Sequence, residues 1–190
     1  MGRTQTFDED QVIDQVQALF WRKGFSATSL ADLQEATGLH KGSLYRTFKS
    51  KEHLFLLALD RYAEGMRAAF IDDEDPVVYL RNFFKDMIKE CSRDDRGCFV
   101  MNCCVELGDS QELTGQVARK LFDEVNRNLN VALKQARKVG ALPPHADVNA
   151  LTARFAGAAF AIREMSKFER NPARFRAIAN GVLSEVGAQV

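Results

Sequence analysis

The chain has 190 residues, with 26 Lys or Arg against 26 Asp or Glu, and is 46% hydrophobic and 27% charged. Zero net charge excludes a polycationic nucleic-acid coat or an acidic solvating tail, so a surface for nucleic acid or lipid has to be a local patch. This is an ordinary globular composition for one or two small domains, long enough to fold without disulfide or metal staples.

Cys91, Cys98, Cys103 and Cys104 fall within 14 residues of each other, a spacing that fits neither a disulfide framework nor a zinc site. His40, His53 and His145 are scattered without metal spacing, so no metal or other cofactor is expected. The opening MGRTQTFDED lacks the apolar core of a secretory signal. The longest uncharged apolar runs, Cys98–Val105 and Phe155–Ile162, reach 8 residues, against the ~20 of a membrane span. A cytoplasmic protein with reduced thiols and no membrane partner is expected.

Apolar residues recur at helical spacing throughout, and no period-two run competes with them. Asp8, Glu9 and Asp10 place acids at a helix start, where the macrodipole favours them. Val12, Val16, Leu19 and Phe20 then form one face of a helix that stops near Gly24. A second short helix follows the capping pair Thr28-Ser29 and ends at Gly38. A third runs from Lys41 to Thr47, and Ser50 caps a fourth that carries Leu54, Leu57, Ala58 and Tyr62. The acidic run Asp72–Pro76 is the strong break. Beyond it come a helix through Leu80, Phe84, Met87 and Cys91, a polar turn Arg93–Gly97, and a short apolar helix Cys98–Leu107. A long helix Gln111–Val139 follows, and two final helices run through Leu151–Met165 and Phe175–Val186. The fold class is all-α, about nine helices. A head of residues 1–53 precedes a helical body of residues 54–190, with the helix 51–70 connecting the two.

The most informative stretch is Thr28–Lys51. Two short helices meet at Gly38-Leu39, a turn of the length used in a helix-turn-helix. Leu30, Leu33, Ala36, Leu39, Leu44 and Phe48 supply its buried side. The other side of the third helix presents Lys41, Gly42, Ser43, Tyr45, Arg46 and Thr47. From Leu39 to Lys51 there are four cations and no acid, so a neutral chain concentrates positive charge on one short helix and the start of the next. Lys41 suits a guanine edge or a phosphate, Gly42 permits close backbone approach, and Ser43 bonds several base edges. Tyr45, Lys49 and Lys51 suit phosphate oxygens, as do the amides at the helix starts near Thr28 and Ser50.

LFWRKGFSATSLADL from Leu19, ATGL from Ala36 and GSLYRTFKSKEHLF from Gly42 together resemble the DNA-binding head of the TetR family of transcriptional regulators, over about residues 8–62. The resemblance implies a helix-turn-helix head on a helical ligand-binding body, assembled as a homodimer on a pseudo-palindromic double-stranded DNA operator. Carried onto matching positions, it implies that Lys41, Gly42, Ser43 and Arg46 read base edges, while Thr28, Tyr45, Thr47 and Lys51 hold phosphates. The last two helices resemble the family's dimerisation pair. Independently, Ala153, Gly157, Ala158 and Ala161 are small enough for close helix approach, and the final helix has a clean apolar stripe.

In the body, Gly97–Leu107 resembles a Gly-Cys-Leu-type segment of one branch of the family, with Phe99 for the usual leucine. Some members of that branch sense oxidants or electrophiles. Cys98 is placed near a helix start beside Arg93 and Arg96, conditions that favour a thiolate, with Asp94 and Asp95 opposing them. The bland alternative is a cysteine packed as a small hydrophobe. Met101, Phe83, Phe84, Met87, Phe155 and Phe160 are candidates either for lining an apolar effector pocket or for core, and Glu106 and Asn102 are candidate polar anchors in it. The reading is a one-component repressor, released by a small-molecule effector or by oxidant or electrophile attack on a thiol. An enzyme lacks support from any nucleophile–base pairing or phosphate loop. A helical ligand-binding or adaptor protein without DNA binding is the alternative.

Overall fold

The structure, a computed structural model, describes residues 7–68, 75–108 and 112–190. Most of the expected acidic break and the expected helix start at Gln111 lie outside the described residues. Among the described residues there are nine α-helices and no strand. They are α1 (Glu9–Lys23), α2 (Leu30–Thr37), α3 (Lys41–Phe48), α4 (Lys51–Ala68), α5 (Pro76–Cys91), α6 (Phe99–Leu107), α7 (Glu112–Lys138), α8 (Val148–Met165) and α9 (Pro172–Leu183), the last followed by a 3-10 turn Ser184–Val186.

Local chemistry sets the helix starts. Asp8 precedes α1 rather than lying in its first turn, and its carboxylate accepts the N–H groups of Asp10 and Gln11. Asp75, Asp147 and Asn171 cap α5, α8 and α9 in the same way. Pro76 and Pro172 open α5 and α9, where a missing N–H leaves no helical bond unmade.

The helices form two compact units, Met1–Gly65 with Phe99–Ala118, and Met66–Cys98 with Arg119–Val190. This division differs from the sequence boundary at 53/54: α4 as far as Gly65, together with α6, packs with the head. The reason is an aromatic core. The Phe20 ring meets Phe55 edge-on at 5.4 Å and Phe25 lies 4.7 Å from Phe55. Phe99 from α6 completes the set, 6.1 Å from both Trp21 and Phe55 and 5.8 Å from Tyr62. Phe20, Phe55 and Phe99 are at most 1% exposed, and burying each such ring contributes roughly 1.5–3 kcal/mol. The conventional helix-turn-helix is thus one wall of a larger first unit.

The second unit is built from α5, α8 and α9 with the C-terminal part of α7. Leu80, Phe84, Leu129, Leu133, Phe155, Ile162, Phe175 and Leu183 form its interior. Two of its connections are polar: Arg163 pairs with Glu90 at 3.1 Å, and Arg170 pairs with Asp95. Among the described residues, no helix is long and apolar enough to cross a membrane, and no group of three or more His, Cys, Asp or Glu side chains is arranged to hold a metal.

Candidate nucleic-acid interface

The α2–α3 pair is made of two eight-residue helices, too short to be stable alone, so caps and a few apolar anchors hold them. Ser29 and Asp32 form a reciprocal capping box at the start of α2. Lys23 of α1 reaches Asp32 at 2.6 Å. That hydrogen bond, with those from Ser29, holds the Asp32 carboxyl far below the usual carboxylate range. At the other end Gly38 takes a left-handed conformation, φ 68°, and its N–H returns to Gln34 O at 2.8 Å. Leu33, Leu44 and Phe48, all at most 2% exposed, anchor the pair to the core.

With Leu44 and Phe48 turned inward, α3 presents Lys41, Gly42 and Arg46 as exposed residues and Ser43, Tyr45 and Thr47 as half-buried ones. The third helix thus has the two faces its sequence predicts. Its start has no side-chain cap, leaving its first N–H groups available to an anion. Gly42 is not required by the protein itself, since a Cβ there would meet nothing within 4 Å. A glycine inside a helix is unfavourable by about 1 kcal/mol relative to alanine, so this residue points to something outside the chain. Beyond α3, Lys49 has φ 63° and Ser50 donates its N–H to Phe48 O at 2.7 Å. This is a γ-turn of the rare positive-φ kind.

Two of the expected phosphate ligands also have contacts inside the protein. Thr28 is only 1% exposed, and its hydroxyl donates to Gly24 O at 2.5 Å. The polar group that made it a candidate is spent inside the turn, so Thr28 holds the loop rather than facing outward. Lys51 is half-buried, with Nζ 4.5 Å above the Phe25 ring. It therefore has a partner within the protein.

The effector candidates are divided between the units. Phe84, Met87 and Phe155 lie in the second unit's core, with Phe84 and Phe155 rings 5.9 Å apart. Phe83 joins them, whereas Phe160 pairs with Phe122 at 6.3 Å and is 39% exposed. Met101 belongs to the first unit. Cys98 is buried just before α6, but the expected basic surroundings are altered: Arg96 is held by Asp94 through a 2.5 Å ion pair. The Cys98 N–H instead donates to Glu164 at 3.3 Å, and Glu164 pairs with Lys167 at 2.7 Å.

Glu106, a candidate polar anchor, is engaged with the head's own backbone. Its carboxylate accepts the N–H groups of Phe25 and Ser26 in the α1–α2 turn, at 3.0 and 2.7 Å. Separations of 81 and 80 residues leave no periodic signal by which sequence could pair these groups. Of the four small residues expected at a helix–helix contact, Ala153 and Gly157 are exposed, Ala161 is half-buried and Ala158 is part of the core.

Comparison with known proteins accounts for both units. Residues 12–58 match the family described as bacterial regulatory proteins, tetR family, and residues 76–182 match the tetracyclin repressor-like C-terminal domain. The chain is 38% identical over 160 residues to the HTH-type transcriptional repressor ComR of Escherichia coli strain K12, spanning 79% of this chain and 75% of ComR. A TetR transcriptional regulator from Chloroflexus aurantiacus J-10-FL superposes with a TM-score of 0.83 at 24% identity, over 95% of this chain and 94% of that one. A cysteine mutant of the TetR family regulator CifR, complexed with 26-bp double-strand operator DNA, superposes with a TM-score of 0.80 at 24% identity, over 96% and 98% of the two chains. With a helix-turn-helix match at one end and a regulator's C-terminal domain over most of the rest, this chain belongs to the TetR family of DNA-binding transcriptional regulators.

Proposed function

We propose that the protein is a homodimeric repressor that reads a pseudo-palindromic operator with α3. The observation that carries this reading is the outer face of α3. Lys41 and Arg46 are exposed and have no ion pair among the described residues, beside a glycine the fold does not need and an uncapped helix start. Guanidinium and ammonium groups suit guanine edges and phosphates, and Ser43 suits several bases. That ComR is a repressor and that CifR binds a 26-bp operator supports the same reading.

Two copies are required because one short recognition helix has little affinity alone, whereas two half-sites one turn apart add theirs. Gly157 on α8 and Gly181 on α9 support this: both are exposed, and a Cβ at either would meet nothing within 4 Å. A second copy packed on these small residues would use that space. The operator is released when an apolar small molecule, or oxidation or alkylation of Cys98, favours a state with the wrong head spacing. The protein acts in the cytoplasm.

Fluorescence anisotropy against DNA flanking its own gene, at several salt concentrations, tests the reading. A dimer neutralising ~6–8 phosphates gives a log–log salt slope of about −5 to −7. Lys41→Glu with Arg46→Glu should abolish selective binding while sedimentation still reports a dimer. Adding hydrogen peroxide to the wild type and to Cys98→Ser tests thiol release in the same assay. Selective binding that survives the double charge reversal would refute the role of α3. A chain with no selective duplex binding is instead an adaptor with a vestigial head.

A further inference from the structure

The α1–α2 turn is held by a residue from outside the helix-turn-helix. Glu106 Oε2 accepts the Phe25 N–H at 3.0 Å and Oε1 accepts the Ser26 N–H at 2.7 Å. Two consecutive backbone donors converging on one anion form a nest, and the Ser26 hydroxyl adds another bond to the same carboxylate. Burial alone would raise this carboxyl's pKa. The bonds from Ser26 and Phe25, with the charge of Lys51, outweigh burial and hold it below the ordinary value.

Gly24, the residue before these two, fits the same arrangement. Its φ is 86°, and a Cβ there would stand 2.7 Å from Glu106 Oε2. Glycine therefore serves both the backbone conformation and the close seat of the carboxylate. Beyond the turn, Thr28 bonds back to Gly24 O at 2.5 Å and Ser29 caps α2. The Phe25 ring carries the Lys51 ammonium at 4.5 Å. One carboxylate thus touches Gly24, Phe25 and Ser26, and through them bears on the start of α2 and on a cation at the start of α4.

We propose that Glu106 is a positioning residue for operator recognition: its carboxylate fixes the α1–α2 turn, and so the presentation of α2, α3 and Lys51 to DNA. The proposal rests on the DNA-binding reading. It also predicts a sign that simple electrostatics does not. An acid close to a phosphate-binding surface repels DNA, so removing it should tighten binding if Glu106 is only a solvated charge. If it fixes the turn, removing it weakens binding.

The test uses a duplex recovered by in vitro selection with the full-length wild-type protein. Glu106→Ala, Glu106→Gln and Val105→Gln are compared by anisotropy and by amide hydrogen exchange. Val105 is 81% exposed on the same helix and serves as the control. Losing two charge-assisted hydrogen bonds from the turn should weaken operator binding roughly 5- to 10-fold in Glu106→Ala. Glutamine keeps one acceptor oxygen and turns an NH2 toward the other amide, so it should fall between. Phe25 and Ser26 amides should exchange faster in both variants, while Val105→Gln behaves as wild type. Equal or tighter binding by both Glu106 variants would overturn the proposal and leave a surface acid. So would weaker binding seen only with loss of helical signal in both variants, since that role is merely structural. Failure of the wild type to enrich any duplex sinks the DNA-binding reading and this proposal together; equal binding by the variants sinks this proposal alone.

Discussion

The two turns that flank α3 face the same geometric problem and solve it with different residues. Before the helix, Gly38 has φ 68° and ψ 7°, in the left-handed basin, and its N–H closes α2 on Gln34. After the helix, Lys49 has φ 63° and ψ −57°, a γ-turn closed by the Ser50 N–H on Phe48 O. Glycine enters positive φ without steric penalty, whereas a residue with a side chain is strained there by about 1–3 kcal/mol. The entry turn is therefore occupied as the fold alone demands. The exit turn keeps a lysine where glycine would serve the backbone better. A cation in a strained conformation beside Arg46 and Lys51 is what a phosphate-facing surface calls for, and a fold optimised only for stability does not call for it.

Substitution at each turn breaks this comparison in opposite directions. Gly38→Ala should destabilise the protein by about 1–2 kcal/mol, because an L-residue is forced into left-handed backbone. The strain is conformational, since a Cβ there would touch nothing within 4 Å. Chemical denaturation measures this. Lys49→Gly should instead leave stability unchanged or raise it by about 1 kcal/mol, as relief of strain is partly offset by glycine's unfolded-state entropy. The same variant should weaken DNA binding and make the salt slope shallower by about 2 per dimer, one phosphate contact per subunit. Stability and affinity part company at Lys49 only if the lysine is kept for DNA. If Lys49→Gly is destabilising, the γ-turn is not strained and the contrast with Gly38 collapses.

The head was legible in the sequence because its signals are short-range. Ser29 lies three residues from Asp32, Gly38 separates two apolar periods, and Leu44 and Phe48 lie one turn apart on α3, opposite Lys41 and Arg46. Each is read within a few residues of itself. Where a polar side chain is already engaged, it has found a local partner that composition does not reveal, as Thr28 did in Gly24 O and Arg96 in Asp94. What the sequence concealed is long-range. Phe99 and Glu106 lie within a cysteine segment that reads as body, yet they pack on Phe55 and bond Ser26. The apolar candidates Phe84, Met87 and Phe155 illustrate the other limit. Helical spacing identifies an inward face, but core and pocket lining share that spacing, and only the three-dimensional packing put these three in the core.

The smallest expected effect sharpens the contrast at the start of α2, the helix that Gly38 terminates. Asp32 is held as a carboxylate by Lys23 and Ser29, with its pKa well below the ordinary value. A carboxyl with a depressed folded pKa stabilises the protein above its unfolded pKa of ~4, and loses that contribution as pH falls through the folded value. Wild type should therefore melt above Asp32→Asn at neutral pH, and the gap should narrow from about pH 4 downward. Glu52, Asp94 and Glu106 are depressed as well, but they are common to both proteins and cancel in the difference. Thermal melts of the pair from neutral to acid pH measure it. A gap that stays constant with pH would mean Asp32 acts through its hydrogen-bonding shape alone, since Asn preserves an acceptor toward Ser29 but not the charge toward Lys23. A gap that closes assigns the entry side of the α2–α3 unit to an ion-paired cap. The exit turn's nearby carboxylate, Glu52 bonded to Ser50, is present in both proteins and so drops out of the difference.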